Sequence, residues 1–131
     1  MTDPTPRVGR RALVVGDDDE ALAFVAEALN SFTPGFEVAT AHGLRQADAW
    51  LETFHPDVLF LDLKAPSEAA DHLVAKLLSD PRTRHCRVLS VASTILEGAA
   101  ARTTPAGAPV VLPRPYGLNA LLGAVRRLVD H

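Results

Sequence analysis

Cysteine is nearly missing from this chain: Cys86 is the only one in 131 residues. That excludes an intramolecular disulfide and a zinc site built on thiolates. No apolar run approaches the ~18 residues that a membrane-spanning segment needs. The opening Met1-Thr2-Asp3-Pro4-Thr5-Pro6 lacks the apolar stretch of a secretory leader. The expectation is therefore a soluble cytoplasmic protein with no membrane contact. A basic excess is also missing, since 13 Lys and Arg face 16 Asp and Glu for a net charge of −3. That balance argues against direct nucleic-acid binding. Neither a sequence repeat nor a low-complexity segment is visible.

What is present suits one folded domain. Hydrophobic residues make up 47% and charged residues 22%, enough to bury a core and too apolar for disorder. Charge is unevenly spread: residues 1–65 carry 5 basic and 11 acidic side chains, residues 66–131 carry 8 and 5. The acids concentrate in Asp17-Asp18-Asp19-Glu20. Such a cluster either faces solvent or holds a cation.

Residues 1–10 read as a flexible N-terminal tail, with two prolines and no periodicity, leaving 11–131 as the folded domain. Ala12-Leu13-Val14-Val15 is a short continuous apolar run, the pattern of a strand buried on both faces. From Glu20 the spacing of Ala21, Leu22, Val25, Ala28 and Leu29 is helical. Phe36–Thr40 predicts a second strand. Gly43–Phe54 predicts a helix with Leu44, Ala47, Trp50, Leu51 and Phe54 on its core face. Val58–Leu61 predicts a third strand, ending at Asp62. A helix over Ala70–Leu78, a strand over Val88–Val91, a weaker helix over Leu96–Arg102, a strand at Val110–Leu112 and an amphipathic helix over Leu118–Val129 complete the series. Five β-then-α units imply an α/β fold, a three-layer doubly wound sheet of five parallel strands. In such sheets the functional crevice lies beyond the carboxyl ends of the strands.

Carboxylates stand at two of those ends: Asp17, Asp18 and Asp19 after the first strand, Asp62 after the third. Convergent carboxylates repel unless one is protonated or a divalent cation sits between them, and an all-oxygen donor set describes Mg²⁺. A plainer alternative is that Asp17–Asp19 cap the helix that follows. After the fifth strand, Pro113-Arg114-Pro115-Tyr116 places a cation opposite the acids, held in an extended segment by its flanking prolines. Arg114 there is either a surface arginine or a partner for a bound oxyanion.

These residues resemble a family: the receiver domain of bacterial two-component response regulators. Val14-Val15-Gly16-Asp17-Asp18 resembles its first-strand acidic motif. Pro56-Asp57-Val58-Leu59-Phe60-Leu61-Asp62-Leu63-Lys64-Ala65-Pro66 resembles its third-strand motif. Gly107-Ala108 followed by Arg114-Pro115-Tyr116-Gly117-Leu118 resembles its fifth-strand motif, usually Gly-Ala and then Lys-Pro-Phe. The match runs from about Arg11 to Val129. It implies a (βα)5 flavodoxin-like receiver fold and a phosphorelay function rather than an enzyme with more than slow self-dephosphorylation. By resemblance Asp62 is the phosphoacceptor. Mg²⁺ is held by Asp17, Asp62 and the Lys64 backbone carbonyl, with Asp18 as a further candidate. Arg114 binds the phosphoryl group, and Pro66 and Pro115 shape the loops. The implied partners are a sensor histidine kinase or phosphotransfer protein, a downstream protein, and a second copy of the chain.

The sequence departs from that pattern. Gly16 stands where the first acid of the pair is usual, Ala92 where a switch hydroxyl is usual, Val111 where an aromatic is usual, and Ala69-Ala70 where Asp-Gly is usual. A working receiver therefore competes with a pseudo-receiver, a constitutive interaction module independent of phosphorylation. A flavodoxin-like nucleotide or flavin binder fits less well, because carboxylates after the first strand repel phosphate. His42, His55, His72, His85 and His131 show no ligand spacing and read as solvated or helix-end residues. Cys86 reads as a packed or edge thiol, Trp50 as core, and Arg126-Arg127 as helix-dipole partners. No effector segment is expected after His131, so output is expected by contact, over a surface near Ile95, Leu96, Tyr116, Leu118 and Leu122.

Overall fold

A computed structural model describes residues 10–33, 35–63, 68–91, 110–112 and 115–129. The elements are β1 (Arg10–Gly16), α1 (Asp19–Phe32), β2 (Phe36–His42), α2 (Leu44–Trp50), β3 (Val58–Asp62), α3 (Glu68–Ser79), β4 (Arg87–Val91), β5 (Val110–Leu112) and α4 (Leu118–Val129). Arg10, expected in the tail, begins β1. The five strands form one parallel sheet in the order β2-β1-β3-β4-β5. This is the (βα)5 arrangement expected from the sequence. The helix expected over Leu96–Arg102 lies outside the described residues.

Strand periodicity divides the core in two. Leu13, Val15, Leu59 and Leu61 face one side, where Ala47 and Leu51 of the α2 region and Leu73, Val74 and Leu77 of α3 cover them. Ala12, Val14, Val58, Phe60, Leu89 and Val91 face the other, under Leu22, Val25 and Leu29 of α1 and Leu121, Val125 and Leu128 of α4. With both faces covered, the buried stretches of β1, β3 and β4 are apolar apart from Ser90 and Asp62. That parity also settles the side of Asp62, which continues the Val58–Phe60 row toward α1 and α4.

The feet of the strands are tied by Asp57. Its Oδ2 accepts the Arg11 amide at 2.8 Å, and its Oδ1 lies 2.7 Å from His85 Nε2. Its own amide donates to Arg11 O at 2.7 Å, and its carbonyl accepts the Arg87 amide at 2.9 Å. One residue thus joins β1, β3 and β4. The Arg87 guanidinium donates in turn to the Leu128 carbonyl at the end of α4, where orphan carbonyls need donors.

Three local expectations are corrected. The second helix stops at Trp50 rather than Phe54, closing in a turn where the Phe54 amide donates to Trp50 O at 2.7 Å. Phe54 remains buried from that turn. Trp50, expected in the core, is 39% exposed. Its ring meets Phe54 edge-on and its Nε1 donates to Thr40 O at 3.0 Å. A residue at the last turn of a short helix slips off the apolar face, and the indole N–H keeps a polar partner at the rim. His42 and His85 are not simply solvated: they hydrogen-bond Asp19 and Asp57, each at 2.7 Å. Cys86 is fully buried. Desolvation, reinforced by the charge of Asp57, pushes its thiol well above the ordinary range. No helix among the described residues is long and apolar enough to cross a membrane.

Candidate functional site

The carboxyl ends of β1 and β3 are adjacent, with Gly16 paired to Asp62 in the register and Gly16 also paired to His42 of β2. The Gly43 amide donates to Gly16 O at 2.8 Å, fastening the β2–α2 turn beside the site. Gly43 itself has φ 87°, a backbone region that glycine alone enters without strain.

The three consecutive aspartates separate by task. Asp18 is the N-cap of α1, its Oδ1 accepting the Glu20 amide at 3.0 Å. The capping expectation therefore holds for Asp18. Asp19 lies in the first turn of α1 and bonds His42. Asp17, between strand and cap, is exposed beside the end of β3.

Asp62 is the last residue of β3 and only 3% exposed. A buried carboxylate needs donors, and the Tyr116 hydroxyl donates to its Oδ2 at 2.8 Å. The Tyr116 ring is wedged between Phe60, centroids 6.4 Å apart and near edge-on, and Phe24 of α1 at 6.2 Å. Sequence reasoning placed Tyr116 on a docking surface. The structure turns it half inward, onto the acceptor candidate. Its signal was available in the sequence as a hydroxyl at the position where the resembled motif carries phenylalanine.

Gly16, one departure from that motif, lies where β1 comes close to β3 and α1. A Cβ built there would lie 3.1 Å from the Asp62 backbone carbonyl and 3.2 Å from Leu22 Cδ2. Both contacts are tight, so a side chain at this position requires the Asp62 carbonyl and Leu22 to give by a few tenths of an ångström. Val111 on the edge strand β5 is 56% exposed, an aliphatic side chain on the surface. Pro115 is exposed, and Leu118 and Leu122 are half-buried, Leu118 packed against the core under α4. Lys64, Pro66, Ala92, Ile95, Leu96 and Arg114 lie outside the described residues.

As a donor set for a cation, Asp17 and Asp62 offer hard carboxylate oxygens. Among the described residues no group of three or more His, Cys, Asp or Glu is gathered as metal ligands. Two carboxylates with the remaining positions left to water suit Mg²⁺, which dehydrates reluctantly, better than they suit a cation needing a full protein cage.

Comparison with known proteins agrees with this architecture. Chemotaxis response regulator CheY4 of Vibrio cholerae superposes with a TM-score of 0.70 at 22% identity, covering 92% of this chain and 98% of that one. The signal receiver domain of a DNA-binding response regulator from Colwellia psychrerythraea gives 0.72 at 22% identity over 94% and 100%. The receiver domain of a signal transduction histidine kinase from Syntrophus aciditrophicus gives 0.68 at 22% identity over 93% and 91%. No curated protein matches the sequence. Residues 12–126 match the family described as the response regulator receiver domain. With a buried aspartate ending the central strand and that family matched along nearly its whole length, the chain belongs to the response regulator receiver domains.

Proposed function

We propose that residues 11–131 act as a phosphorelay receiver in which Asp62 accepts a phosphoryl group. The observation that carries this reading is the placement of Asp62: a carboxylate at the carboxyl end of β3, 3% exposed, paired in register with Gly16, which Asp17 directly follows at the end of the adjoining strand. Burial removes competing water hydrogen bonds from the acceptor and strengthens electrostatic interactions around it. The donor is a sensor histidine kinase or phosphotransfer protein. A carboxylate oxygen bonds phosphorus as the phosphorus–nitrogen bond of a phosphohistidine breaks, and the imidazole keeps the electron pair. Asp17, Asp62 and the Lys64 carbonyl would hold Mg²⁺, which offsets the charge between carboxylate and phosphoryl oxygens when bound. Arg114 supplies a guanidinium for the phosphoryl oxygens. Output is by protein contact.

The test is intact mass after incubation with acetyl phosphate, with and without Mg²⁺. A Mg²⁺-dependent gain of one hydroxylamine-labile phosphoryl group, lost in Asp62→Asn, is expected. No gain in a folded protein, with acetyl phosphate and with a cognate kinase, would support the second reading. In that reading the chain is a phosphorylation-independent interaction module. The exposed aliphatic Val111 and the crowded Gly16 favour it.

A further inference from the structure

We infer that Tyr116 is a positioning residue for Asp62, a latch whose hydroxyl holds the acceptor carboxylate and is released when that carboxylate is phosphorylated. The inference rests on the acceptor role proposed for Asp62. It starts from the 2.8 Å bond from the Tyr116 hydroxyl to Asp62 Oδ2. A hydrogen bond to an ionised carboxylate is about twice as strong as one between neutral groups. Phosphorylation by acetyl phosphate forms a bond from one Asp62 oxygen to phosphorus and breaks the phosphorus–oxygen bond to acetate, which leaves with the electron pair. No proton is required. Whichever oxygen reacts, the carboxyl itself becomes neutral, the charge of the product lies on the phosphoryl oxygens beyond it, and at the carboxyl the tyrosine meets only a neutral carbonyl or ester oxygen. The latch is therefore stronger in the unphosphorylated state, and by linkage it holds that state.

The ring gives the release somewhere to go. Tyr116 packs against Phe60, two residues before Asp62 on the same face of β3, and against Phe24, 40% exposed on α1. It also directly precedes Gly117, whose carbonyl accepts the Leu121 amide at 3.0 Å in the first turn of α4. A change at the Asp62 carboxylate thus has a route toward α1 and α4 through this side chain.

Tyr116 is the only tyrosine in the chain, so protein labelled with ¹³Cζ-tyrosine gives one hydroxyl-bearing carbon signal. In the unphosphorylated protein, Asp62→Ala should shift that signal away from its wild-type position, because the acceptor is gone. Acetyl phosphate with Mg²⁺ should move the wild-type signal in the same direction. Tyr116→Phe, which keeps the ring and deletes only the donor, should be labelled roughly three- to tenfold faster than wild type, the difference between a charge-assisted and an ordinary hydrogen bond. A signal that does not move in Asp62→Ala, or labelling of Tyr116→Phe at or below the wild-type rate, would overturn the latch while leaving Asp62 as acceptor. If neither protein takes up a phosphoryl group, from acetyl phosphate or from a cognate kinase, the acceptor reading itself falls, and the latch falls with it.

Discussion

Two aspartates sit five residues apart around β3, at opposite ends of the sheet, and their surroundings could hardly differ more. Asp57, at the foot, is bound by the Arg11 amide and by His85, while its backbone links β1 to β4. Asp62, at the head, is nearly fully buried, and a hydroxyl reaches it from the loop ahead of α4. A carboxylate anchored by a strand amide cannot change partners without disturbing the sheet. One engaged by a side chain on a loop can. The difference teaches what each carboxylate holds: Asp57 ties together the amino ends of β1, β3 and β4, while Asp62 takes a hydrogen bond from a side chain outside the sheet.

The contrast is best tested from its strong side. Asp57→Ala removes a charged acceptor from a strand amide and should destabilise the protein by about 2 kcal/mol. That corresponds to a fall in melting temperature of roughly 7 °C, read by thermal denaturation. An unchanged melt would mean the foot is not fastened by Asp57. Gly16→Asp comes next. Forcing a side chain against the Asp62 carbonyl and Leu22 should cost about 1–3 kcal/mol, and it should not raise Mg²⁺-dependent labelling by acetyl phosphate. A stable variant that labels faster would show that β1 can give way. Asp62→Asn should change stability by less than about 1 kcal/mol, because the amide carbonyl still accepts from Tyr116 and a buried charge is removed. A loss as large as that for Asp57→Ala would erase the distinction between the two ends.

The smallest effect lies at the surface turn after α3. Hydrogen bonds from the Arg82 side chain, then from its amide, hold the Asp80 carboxyl at about 2. Arg82→Ala should return that carboxyl toward its ordinary value in an NMR titration. A group depressed in this way adds stability above its unfolded value and loses it as pH falls through about 2. At neutral pH the melt of the variant should therefore hardly move, since exposed pairs are screened. A large drop would make this turn part of the fastening.

Much of this was legible from residue order. Val58–Leu61 is apolar at every position because both faces of β3 are covered, and Leu22, Val25 and Leu29 mark the buried stripe of α1 by spacing alone. Asp62 could be picked out because a carboxylate directly follows such a run. Other features depend on angles that a one-dimensional pattern does not carry. Trp50 fits the core stripe by count, yet the helix ends there and the indole rotates to the rim. Asp18 and Asp19 look interchangeable in a run of acids, but the entry geometry of α1 makes one a cap and gives the other to His42. Tyr116 reads as one more aromatic near a helix start. Only its placement in the fold, just ahead of α4, aims its hydroxyl at Asp62.

The sealed position of Cys86 has a practical corollary. A lone thiol with no solvent access, its ionisation disfavoured by burial, should not react with alkylating reagents while the sheet is intact. Reaction waits for an opening that exposes the start of β4, so the alkylation rate reports how often the fold lets go. The molecule thus carries its own clock for spontaneous opening. Its sulfur stands next to Arg87, whose amide hangs on the Asp57 carbonyl, while everything that happens to the Asp62 carboxylate takes place at the far end of the strands.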